Sequence, residues 1–129
     1  MYAGPFYFDT KKIFGKYPEI KLVYFFGSKA FGRAGLLSDY DFAVYFDEKT
    51  TPLQRTNIKI RLNVDLMGEL KTNNIDIVSL NDRLDPLLKY EIISKRKILY
   101  EKQPYRLKIE PMILSEYFDF YTFIDRRND

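Results

Sequence analysis

The chain has 129 residues, 46% hydrophobic and 17% aromatic, with a formal net charge of +3 and neither cysteine nor histidine. Disulfides, thiolate nucleophiles, Ser-His and Cys-His catalysis and zinc sites built on nitrogen or sulfur are thereby excluded, leaving any chemistry to Asp, Glu, Ser, Lys, Arg or Tyr. The length suits one domain, 1–129, burying roughly two-thirds of its unfolded surface. Lysines and arginines are scattered among acids, so no nucleic-acid footprint is indicated. No basic, apolar leader opens the chain and no run approaches the ~18 apolar residues of a membrane span, so a cytoplasmic protein with no membrane contact is expected.

In chain order, Asp9 and Thr10 offer an N-cap to a short helix that presents Ile13, Phe14 and Tyr17 and ends near Pro18. Lys21 to Phe26 reads as a strand. Gly27-Ser28 reads as a strand-to-helix turn, with Gly32 and Gly35 breaking the next segment into a short helix and a loop. Tyr40 to Phe46 is the second strand. From Leu53 to Leu70, alternation over residues 58–66 competes with four-residue spacing of Ile58, Leu62, Leu66 and Leu70. Length, and Pro52 in the first turn behind Thr51, decide for a broad-faced buried helix.

Ile75 to Leu80 is a third strand after Asn73-Asn74. Asp85 before Pro86 caps a helix with Leu84, Leu87, Leu88 and Ile92 on one face, and Ile98 to Tyr100 is a short fourth strand. The aromatic-rich end, about 104–129, carries more apolar surface than one stripe. It packs on its own domain or on another chain, of its own kind or a partner's. Together these elements predict an α+β (α/β-like) fold with a small sheet flanked by helices.

Two acids stand out at the mouth of the second strand. Residues two apart in a strand project to one side, so Asp39 and Asp41 share a small volume while Tyr40 faces away. Their repulsion is relieved if a cation lies between them. The plain alternative is a Ser38-Asp39 turn with Asp41 solvated at the strand end. Gly27 permits close backbone approach, and the free amides from Ser28 onward, with its hydroxyl, form an anion cradle. Ten residues separate Ser28 from Asp39. A phosphate cradle and a cation cradle at the ends of two apolar strands suit a metal-chelated nucleoside triphosphate. A third acid, Asp76, sits among branched apolar residues in what reads as an inner strand, where an unpaired carboxylate costs several kcal/mol. If that strand neighbours the Asp39/Asp41 strand, the three carboxylates converge on magnesium; capping a helix or pairing with a lysine is the structural alternative.

Gly27-Ser28, ten residues, Asp39-x-Asp41, then Asp76 inside an apolar strand resemble the signature of the DNA polymerase beta-type nucleotidyltransferase superfamily. The small size and the tail Pro86-Leu87-Leu88-Lys89-Tyr90-Glu91-Ile92 through Ile98-Leu99-Tyr100-Glu101 are similar to the minimal nucleotidyltransferases of the MntA type. The resemblance implies a palm-type mixed sheet of about four strands and an antitoxin that transfers AMP from ATP to a tyrosine of a HEPN-domain RNase toxin. By position it implies that Gly27 and Ser28 hold the triphosphate, that Asp39 and Asp41 bind two Mg2+ ions, and that Asp76 binds the catalytic metal and orients or deprotonates the attacking hydroxyl. Relatives carry Ala-Arg-Gly after the Gly-Ser; this chain has Ala30-Phe31-Gly32 with Arg33 displaced by two, so Lys29 or Arg33 becomes the candidate phosphate contact. Two other readings stay open: a non-catalytic antitoxin that binds nucleotide and neutralises its toxin by complex formation, and a transferase acting on a small molecule or RNA.

Overall fold

A computed structural model describes residues 6–27 and 39–127. Among these described residues eight elements succeed one another: α1 (Thr10–Phe14), β1 (Ile20–Phe26), β2 (Tyr40–Phe46), α2 (Pro52–Leu70), β3 (Ile75–Ser79), α3 (Pro86–Ser94), β4 (Ile98–Glu101) and α4 (Tyr105–Arg127). The strands form one mixed sheet in the order β3-β2-β1-β4. β1 lies antiparallel to β2 and to β4, while β3 runs parallel to β2. The parallel pair requires a crossover, which α2 supplies.

Period-two alternation along the strands divides the core into two layers. Val23, Phe25, Phe42, Val44 and Phe46 meet Phe14 of α1 and Ile58, Leu62 and Leu66 of α2 on one face. Leu22, Tyr24, Ala43 and Tyr45 meet Ile92 and Ile93 of α3 and Ile109 and Ile113 of α4 on the other. The four-residue spacing in α2 therefore names its buried stripe. The helix starts in a capping box: Gln54 N–H donates to the Thr51 hydroxyl at 3.1 Å, and Thr51 N–H donates to Gln54 Oε1 at 2.8 Å. It ends on Lys71 in the left-handed conformation, φ 54°.

Three details depart from the sequence reading. α1 stops at Phe14 rather than near Pro18, and Tyr17 reaches the core from the turn beyond it. In α3, Leu88 and Ile92 point inward while Leu87 is 45% exposed, because residues four apart share a face and Leu87 lies off it. β3 is an edge strand rather than an inner one, so Asp76 stands exposed and meets no desolvation cost of the size expected for it.

The last helix starts before Pro111 and runs through it. Its first half is anchored: Ile109 and Ile113 are buried, Tyr24 Oη donates to Glu110 at 2.9 Å, and Arg106 Nε donates to Glu101 at 2.8 Å. Tyr117 stacks on Tyr90 of α3 with ring centroids 4.1 Å apart. Beyond these, Phe118, Tyr121 and Phe123 are each more than half exposed.

Candidate active site

Gly27 succeeds the last residue of β1 and takes φ +82°, a left-handed conformation that glycine adopts without strain. Phe26 pairs with Asp41 across the β1–β2 ladder, so Gly27 lies beside the Asp41 side chain. A Cβ built on Gly27 would stand 2.0 Å from Asp41 Oδ2. The missing side chain is thus what gives the Asp41 carboxylate its space, in addition to any ligand the turn approaches.

Asp41 and Asp76 are direct register partners in the parallel β2–β3 pair. Alternation puts both on the sheet face that carries Ala43, Tyr45 and Val78, toward α3 and α4. Asp39 is exposed immediately before β2, and Tyr40 turns to the opposite face, its ring 6.2 Å from that of Phe25. Two carboxylates on adjacent strands with a third two residues away concentrate negative charge. The Asp41 carboxyl is pushed up to about 6, first by burial, then by the charge of Asp76, then by that of Asp39. Of the predicted site residues, Gly27, Asp39, Asp41 and Asp76 are therefore brought to one end of the sheet. Ser28, Lys29 and Arg33, together with the short helix predicted after Gly27, lie outside the described residues.

Among the described residues no three acidic side chains are already drawn around one point at ligand distance. The donor set nevertheless fits a hard divalent ion: every candidate ligand is a carboxylate oxygen, and the burial and neighbouring negative charge that together raise Asp41 disfavour an anion that a cation at that place would stabilise. A larger hollow of about 510 Å3, lined by Tyr45, Lys89, Ile109 and Met112, lies four residues farther along β2 and includes none of the three aspartates. Its charges are paired, Lys89 with Glu116 at 3.9 Å and Lys108 with Glu48, so it reads as an α4 packing groove.

Sequence reasoning missed one feature of the site. Between the outer edge of β3 and α2 lies a hollow of about 200 Å3 lined by Thr56, Lys59, Ile60, Asn63, Ile75, Asp76 and Ile77. The available signal was Ile60, an apolar residue off the Ile58, Leu62, Leu66 stripe and 60% exposed.

The family described as "Polymerase beta, Nucleotidyltransferase" matches residues 9–105. The chain belongs to this family of nucleotidyltransferases. Among curated relatives it is similar to the protein adenylyltransferase MntA of Aphanizomenon flos-aquae (strain 2012/KM1/D3), 33% identical over 96 residues. That match spans 70% of this chain and 63% of the relative. Among solved structures, a toxin-antitoxin with AMP-PNP aligns with TM-score 0.68 and 23% identity, covering 92% of this chain and 94% of that one. The tri-AMPylated HEPN toxin of Shewanella oneidensis in complex with MNT antitoxin aligns with TM-score 0.62 and 21% identity, covering 92% of each. These likenesses establish the palm-type mixed sheet flanked by helices. No helix among the described residues is long and apolar enough to cross a membrane.

Proposed function

We propose that this chain is a protein adenylyltransferase that moves AMP from ATP onto a tyrosine hydroxyl of a HEPN-domain RNase toxin, acting in the cytoplasm as the antitoxin of the pair. The observation that carries the reading is the register pairing of Asp41 with Asp76 beside Gly27, which gathers carboxylates where β1 ends and β2 begins. The adenylyltransferase relative supports the reaction. The solved relatives with AMP-PNP and with an AMPylated toxin support the nucleotide and the acceptor.

Asp39, Asp41 and Asp76 would hold Mg2+, which supplies charge neutralisation and Lewis acidity at the phosphates when bound. The chain's own residues do the rest. Gly27, and by the resemblance Ser28 with Lys29 or Arg33, would bind the triphosphate. Asp76, the more exposed of the strand-borne pair, faces the acceptor side and orients the hydroxyl or takes its proton. The hydroxyl oxygen bonds to the α-phosphorus, the bond from that phosphorus to the β-phosphate bridging oxygen breaks, and pyrophosphate leaves. Such a reaction is carried by positioning and electrostatics, so the absence of histidine is no obstacle.

The test is incubation of the chain with magnesium, its cognate HEPN protein and ATP labelled at the α-phosphate. Label is expected on the HEPN protein, absent when the label is on the γ-phosphate and lost in Asp41→Asn. Failure to label the partner, or labelling that survives Asp41→Asn, refutes the reading. A purely binding antitoxin is favoured by one observation, the exposed aromatic half of α4, and the same assay excludes or installs it.

A further inference from the structure

The open edge of β3 lies next to Asp76. Tyr40 N–H donates to Asn74 O and Leu80 N–H donates to Val44 O, each at 2.8 Å, so residues 74, 76, 78 and 80 turn their backbone groups toward β2. In a parallel ladder both groups of a residue point the same way, which leaves the N–H and C=O of Ile75 and Ile77 facing outward. Among the described residues no strand pairs with that edge. One face of α2 flanks it: Thr56, Lys59, Ile60 and Asn63 recur at helical spacing and, with Ile75, Asp76 and Ile77, enclose the 200 Å3 hollow. Ile60 and, one turn on, Val64 are each more than half exposed there.

We infer that this edge docks an extended segment of the protein acceptor as a fifth strand, placing its tyrosine beside Asp76. This rests on the AMP-transfer reading and adds how the acceptor is held. A strand added to β3 lies about 4.8 Å beyond it, and a residue opposite Asp76 sends its side chain to the face shared by Asp76 and Asp41. Its two neighbours turn to the other face, toward Ile60 and the polar rim of Thr56, Lys59 and Asn63. Main-chain pairing then supplies affinity, and the alternation delivers one hydroxyl to the carboxylates. A compact small molecule gains nothing from a row of backbone donors and acceptors, which is why the occupant is a peptide segment.

The experiment measures KM for the HEPN protein and, separately, for ATP, using α-phosphate label transfer by the full chain. Ile77→Pro removes an outward N–H, at a position where an edge strand tolerates proline, and with it a half-buried side chain packed on the α2 face of the core, while the backbone groups of Asp76 and Val78 that pair with β2 are kept. Ile60→Lys replaces an exposed apolar wall without touching the core. Each is expected to raise KM for the HEPN protein about tenfold with KM for ATP unchanged, the loss of roughly one good contact. Should Ile77→Pro fail to fold by circular dichroism, Ile60→Lys and Asn63→Arg decide. Folded variants with unchanged KM for the HEPN protein overturn the edge docking and leave AMP transfer standing. Wild-type transfer to RNA or a small molecule instead, indifferent to these changes, overturns it as well. No transfer by the wild-type chain to any acceptor removes the functional reading itself.

Discussion

Replacing Asp41 by Asn should make the metal-free protein more stable at neutral pH while abolishing AMP transfer. Its carboxyl is raised from 3.8 to about 6 by burial and by Asp76 and Asp39, so the folded state holds the proton more tightly than the unfolded chain does. Between about pH 4 and 6 the folded protein binds the extra proton, and stability falls as pH rises through that window. Above it the full penalty of the ionised form persists. A change from 3.8 to about 6 corresponds to at most about 3 kcal/mol. Because the group is only partly buried, solvent screening reduces this to about 1–2 kcal/mol. Asn keeps the shape without the charge. Asp41→Asn should therefore raise Tm at pH 7.5 in EDTA by about 3–8 °C, a gain that vanishes by pH 4. Thermal melts tracked by circular dichroism across pH 4–8 read this directly. A variant less stable than wild type at pH 7.5, or a gain that does not depend on pH, would refute a raised carboxyl at Asp41 and with it the burial and crowding of negative charge assigned to that position.

The same geometry sets three further outcomes. Gly27→Ala puts a Cβ 2.0 Å from Asp41 Oδ2 in a backbone with φ +82°, and should cost about 1–2 kcal/mol in denaturant melts while eliminating label transfer. Asp76→Asn, at an exposed edge position, should leave stability within about 0.5 kcal/mol of wild type and still abolish transfer, separating a chemical role from a structural one. Leu62→Ala, in the fully buried stripe of α2, should destabilise by about 2–5 kcal/mol without altering KM for ATP in the protein that remains folded.

Much of this architecture is legible in the sequence because periodicity and capping speak locally. Ile58, Leu62 and Leu66 mark the buried face of α2, Thr51 and Pro52 its start, and Asp85 with Pro86 the start of α3. The order of the strands is harder to read, since nothing in the stretch Ile75 to Ser79 says whether one edge or two are paired. That is why Asp76 reads as an inner residue and stands at the rim. Its pairing opposite Asp41 depends on a register set by the α2 crossover, and no short motif encodes that register. Gly27 reads as a place for close approach, yet its nearest neighbour is a carboxylate of its own chain. The 200 Å3 hollow needs three dimensions, because α2 and the β3 edge meet only through tertiary packing.

The most direct test counts divalent ions at the carboxylates. Mn2+ is titrated into the chain with AMP-PNP, and free metal is monitored by electron paramagnetic resonance. The expected result is two ions bound per wild-type chain, with binding sharply weakened in both Asp41→Asn and Asp76→Asn. Equal Mn2+ binding by the wild-type chain and the two variants would contradict the convergence of Asp39, Asp41 and Asp76 on one nucleotide site.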